Sequence, residues 1–84
     1  MRVTLKLYAT LTDYLPPAAR TENLVRLDVE DGATIASAIA PFNLPPRLTH
    51  LVLVNGLFVP REERDTRPLR EGDVLAIWPP IAGG

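Results

Sequence analysis

The chain has no cysteine and, among its 84 residues, only one histidine, one serine and one tryptophan. Without thiols there is no disulfide framework, no thiolate nucleophile and no cysteine-ligated zinc cluster, so a domain this small is held by its apolar core alone. Ser37 falls on an expected helix and His50 at an expected strand entrance, with no nucleophile elbow and no oriented base to join them. A lone imidazole without converging ligands makes no metal site, and none is expected. An excess of charge of one sign is also missing. Nine Lys plus Arg against ten Asp plus Glu leave a formal net charge of −1, too balanced for the field that binds nucleic acids or anionic membranes, so neither is expected as a partner. Long apolar runs are lacking too. Val3 to Tyr8 is interrupted by Thr4 and Lys6, unlike a signal-peptide core or a bilayer span of roughly 20 residues, and a cytoplasmic location is expected. Gly32, Gly56 and Gly72 stand alone, so no glycine-rich phosphate loop is formed.

What is present fits one compact α+β domain. Arg2 to Tyr8 alternates, with Val3, Leu5 and Leu7 on one face, and reads as a strand. Leu24 to Val29 alternates again after Pro16 and Pro17, giving a hairpin or its longer-looped equivalent. Thr34 is placed to cap a helix carrying Ile35, Ala38, Ile39 and Phe42 at helical spacing, and Pro41 stops it near Ala40. Leu51 to Val54 is a continuous apolar run, the pattern of a strand buried on both faces at or near the centre of a sheet. Asn55-Gly56 is the strongest dipeptide for a type I′ turn into a partner strand, Leu57 to Val59. Glu62, Glu63 and Asp65 interleave with Arg61, Arg64 and Arg67 and read as a solvated face rather than as paired catalytic carboxylates. A turn over Glu71, Gly72 and Asp73 leads to a last strand, Val74 to Trp78.

The six residues after that strand are Pro79, Pro80, Ile81, Ala82, Gly83 and Gly84. The prolines end the strand and launch the remaining residues away from the sheet. Four residues reach at most about 13–14 Å, enough to enter a recessed site in another protein. Glycines pass a narrow channel and leave the terminal carbonyl carbon unshielded. Terminal glycines also simply fray, although at about 7% average usage a pair arises by chance in only roughly 0.5% of chains. A carboxylate is a poor electrophile, so chemistry at this end requires a separate ATP-using enzyme to make an acyl adenylate, from which sulfide displaces AMP. On that reading the chain is a carrier, not a catalyst.

The segment Glu71, Gly72, Asp73, Val74, then Trp78 to Gly84, resembles the "GDxV…PPxxGG" ending of the MoaD/ThiS sulfur carriers, in the branch of the molybdopterin synthase small subunit. Leu51 to Gly56 is similar to the strand and turn of both branches. The resemblance covers the whole chain and implies a ubiquitin-like β-grasp fold, a mixed sheet with the last strand beside the first and one short helix packed across it. It divides the chain into a β-grasp domain, 1–80, and a flexible diglycine tail, 81–84. It implies that Gly84 is adenylated by an E1-like adenylyltransferase, becomes a thiocarboxylate and gives up sulfur in the active site of a larger synthase subunit. Gly83, Ala82 and Ile81 would thread the channel, Pro79 and Pro80 would position the tail, and no cofactor would be bound, ATP being used by the activating enzyme. Leu57 and Phe58 are candidates for partner docking, and equally for ordinary edge packing. The helix is shorter than is usual in the family, which leaves thiamin or tRNA thiolation open as destinations. Two further readings stay open: a ubiquitin-like modifier, with self-linkage limited to Lys6, the sole lysine, or to Met1, and a non-carrier β-grasp interaction module.

Overall fold

The computed structural model describes residues 1–80. The chain forms β1 (Arg2–Leu7), β2 (Leu24–Asp28), α1 (Ile35–Ile39), β3 (Leu51–Val54), β4 (Leu57–Phe58) and β5 (Val74–Trp78). The strands make one five-stranded sheet in the order β2-β1-β5-β3-β4. β1 and β5 run parallel and every other pair is antiparallel. The last strand therefore lies centrally beside the first, and the β-grasp expectation holds.

The alternation in β1 does what its period requires: Val3, Leu5 and Leu7 are buried against the helix side. Thr34 caps α1 through a reciprocal box in which Ser37 N–H donates to Thr34 Oγ1 at 3.2 Å and Thr34 N–H donates to Ser37 Oγ at 2.8 Å. The only serine is thus spent on a helix end. α1 stops at Ile39 and tightens into a 3-10 turn over Ala40–Phe42, closed by Asn43 at φ 54°, as a proline in second position of that turn allows. Ile35 and Ala38 are buried, and Ile39 and Phe42 pack against the core.

Two expectations need correction. Leu51–Val54 is not buried on both faces. It alternates, with Val52 and Val54 inside, Leu53 half-buried and Leu51 36% exposed. The strand with three successive buried residues is β5, whose Leu75, Ala76 and Ile77 are all buried, because it is the middle strand of the five and its small Ala76 lies in register between Lys6 and Leu53. The partner strand after Asn55-Gly56 is also shorter than expected, ending at Phe58, with Val59 fully buried beneath it. The turn itself is as read, with φ of 52° at Asn55 and 83° at Gly56. The link from β1 to β2 contains two 3-10 turns, Ala9–Tyr14 and Pro17–Ala19, and drops Leu11 and Leu15 into the core.

Candidate functional site

The site is the end of β5 and the sheet face that α1 leaves uncovered. Partners in register project to one side, so Phe58, Leu53, Ala76 and Lys6 form one row across that face, and Leu51 with Trp78 forms the next. Trp78 stacks on Tyr8 with ring centroids 4.0 Å apart and planes 5° from parallel. Backbone bonds fix the same spot: Tyr8 N–H donates to Ile77 C=O, and His50 N–H donates to Trp78 C=O, each at 3.2 Å. Pro79 and Pro80 follow directly, both half-buried. The chain is thus held on both sides up to the point where the prolines begin.

Leu57 and Phe58 are 68% and 58% exposed, but successive strand residues face opposite ways. Phe58 joins the uncovered face, whereas Leu57, in register with Val54, lies at the rim of the helix side. The structure brings Phe58, Leu53, Leu51 and Trp78 onto one surface and leaves Leu57 off it. Ile81, Ala82, Gly83 and Gly84, named for threading and for the reactive carboxylate, lie outside the described residues. Nothing in the sequence marks Tyr8, Leu51 or Leu53 as site residues, although continuing the Arg2-Thr4-Lys6 phase by one step reaches Tyr8.

The charged loop is partly a solvated face and partly not. Arg61, Glu62, Glu63, Asp65 and Arg67 are exposed and, among the described residues, form no ion pairs with one another. Arg64 turns inward: Nη1 donates to Thr49 C=O at 2.7 Å, Nη2 to His50 C=O at 3.0 Å, and Nε is buried without a partner among the described residues. Its desolvation, with Arg61 adding and Glu62 opposing, lowers its pKa. Arg64 therefore staples the loop to the entrance of β3. His50 is exposed and serves through its backbone. Among the described residues, no three His, Cys, Asp or Glu side chains come together as a metal site, and no helix is long and apolar enough to cross a membrane.

A mixed five-stranded sheet with a short helix across one face, its central strand running out into Pro79-Pro80, is a ubiquitin-like β-grasp. The chain belongs to the ThiS family, whose model matches residues 16–84. Members of this family are small carriers rather than catalysts. The chain is similar to SAMP1 from Haloferax volcanii, a small archaeal modifier protein, at 25% identity and a TM-score of 0.71 over 100% of both chains. It is similar to a second Haloferax volcanii protein, HVO 2177, at 25% identity and a TM-score of 0.75, covering 100% of this chain and 87% of that one. The fold is shared with a chain from the complex of subunits 1 and 2 of molybdopterin-converting factor from Helicobacter pylori, at 17% identity and a TM-score of 0.63 over 100% of both. No curated protein sequence matches.

Proposed function

We propose that this chain is a cytoplasmic sulfur carrier whose working group is the Gly84 carboxylate, used in molybdopterin biosynthesis. An E1-like adenylyltransferase joins that carboxylate to the α-phosphorus of ATP and releases pyrophosphate. Sulfide then attacks the acyl carbon, AMP leaves with the bonding pair, and a thiocarboxylate remains. A larger synthase subunit receives the tail, with Gly83, Ala82 and Ile81 in its channel and Pro79 and Pro80 at its mouth. The observation that carries this reading is the anchored exit of β5, where Trp78 is stacked on Tyr8 and bonded to His50 beside an exposed apolar face. Phe58, with Leu53 and Leu51, is the docking surface. The chain holds no cofactor of its own on this reading.

The test is the intact mass of the protein after incubation with ATP, a sulfide source and an E1-like adenylyltransferase. A gain of about 16 Da marks exchange of one carboxylate oxygen for sulfur; no gain with active enzyme overturns the reading. The likeness to SAMP1 favours a second one, in which a lysine amine of a target displaces AMP and an isopeptide forms. Conjugates in a lysate supplied with ATP, absent for a chain lacking Gly83 and Gly84, would mark that outcome. Lys6, the sole lysine, sits half-buried in the row with Ala76, which leaves little room for self-linked chains.

A further inference from the structure

The two edges of the sheet are finished differently. β4 is two residues long and is followed after Val59 by Pro60, a short edge with a proline behind it, closed to further pairing. β2 runs five residues with no proline, no lysine and no break in its register with β1. Its free side follows from the bonds at its two ends. Met1 and Val29 exchange bonds of 2.7 and 2.8 Å, and Leu7 N–H donates to Asn23 C=O at 3.0 Å. Bonded positions alternate along an antiparallel ladder, so Val25 and Leu27 pair with β1 while Leu24, Arg26 and Asp28 turn their N–H and C=O groups outward. Beside this edge lies a groove of about 600 Å³ between β2 and α1, floored by Leu27, Val29, Ala38 and Phe42.

The charge around the groove has a sign. From Glu22 to Asp31 the chain carries Glu22, Asp28, Glu30 and Asp31 against Arg26 alone. Arg2 engages Asp28 at 3.2 Å and the Met1 ammonium lies 3.8 Å from Asp31, while Glu22 and Glu30 form no ion pair among the described residues. We infer that the outer edge of β2 is a docking site for an extended segment of a partner protein that alternates apolar with basic residues and adds to the sheet as a further strand. Its backbone pairs with Leu24, Arg26 and Asp28, alternate apolar side chains fill the groove over Leu27 and Phe42, and its cations face Glu22 and Glu30. β1 separates this edge from β5, so the segment leaves Trp78, Pro79 and Phe58 free. The inference holds whether or not Gly84 carries sulfur.

The test uses the full chain, isotope-labelled and titrated with a capped heptapeptide alternating lysine and valine, followed by amide NMR. Saturable shifts at Leu24, Arg26 and Asp28 are expected, with hydrogen exchange at Arg26 and Asp28 slowed at least about 10-fold at saturation. Backbone N-methylation of one alternate set of peptide residues abolishes binding and of the other set leaves it, and replacing lysine by glutamate weakens it. Arg26→Pro removes an outward N–H without breaking the ladder to β1 and abolishes binding. If that variant does not fold, the methylated peptides carry the same test on the unaltered protein. Equal binding by both methylated peptides, no saturable shift in the millimolar range, or shifts confined to Leu53 and Phe58 would overturn the inference.

Discussion

One sheet presents two faces with opposite demands. On the helix side, Leu5, Leu7, Val52, Leu75 and Ile77 are all fully buried, and any lost methylene leaves a void that close packing cannot refill. On the other side Leu51, Leu53 and Phe58 stand on the same backbone ladder with water as their neighbour. The ladder supplies geometry to both faces, while apolar burial supplies free energy to one. Side chains on the uncovered face are therefore free to vary at little cost to the fold.

That contrast is broken most severely from the covered side. Leu75→Ala, in the central strand, should lower unfolding free energy by about 2–5 kcal/mol, read as a drop in the urea midpoint at constant slope. Next comes the Arg64 staple between the charged loop and the entrance of β3. Arg64→Met keeps the alkyl stem but leaves the carbonyls of Thr49 and His50 without their cationic donor. A loss of about 1.5–3 kcal/mol is expected by the same melt, and a loss near zero would show water replacing the guanidinium. Asn55 ties the β3 turn to the start of β5, its Oδ1 accepting from Val74 N–H and its Nδ2 donating to Asp73 Oδ1, each at 2.9 Å. Asn55→Ala should cost about 1–2 kcal/mol, and Asn55→Gly less, because glycine keeps the positive φ while dropping the bonds.

These positions also divide what the sequence made legible from what it hid. Alternation in β1, the Thr34 cap and the Asn55-Gly56 turn are local signals, and the residues that carry them do locally what their chemistry dictates. The centre of the sheet is not local. Leu51–Val54 is as apolar as a central strand, yet β4 beside it is only two residues long, and the burial went to Val74–Trp78, a segment no more apolar in sequence. Leu11 and Leu15 sit in a proline-rich connection whose 3-10 turns give no strand or helix period. Arg64 looks like its charged neighbours until the fold brings the carbonyls of Thr49 and His50 around it. Of the site, Pro79 and Pro80 are marked by position and composition, and Phe58 only through the family resemblance. The Tyr8–Trp78 stack is not, because it joins residues from opposite ends of the chain that meet only through the parallel β1–β5 pairing.

The gentlest perturbation of the fold sharpens the comparison most. Phe58→Ala removes a ring that is 58% exposed at the end of an edge strand, so it creates no cavity and should change stability by less than about 0.5 kcal/mol. Burying such a ring against a partner removes most of its remaining surface from water, and an aromatic anchor at the centre of an interface is typically worth 2 kcal/mol or more. Affinity for an E1-like adenylyltransferase, measured by calorimetry, should then fall by at least about 10-fold. Leu57→Ala, on the neighbouring residue but facing the helix side, is the matched control. It exposes a similar apolar area and should leave affinity within about threefold, since a side chain off the docking face contributes little. Equal losses from the two would mean that the partner grips the β3–β4 hairpin from its edge, and the division between a face for stability and a face for recognition would fail at this hairpin.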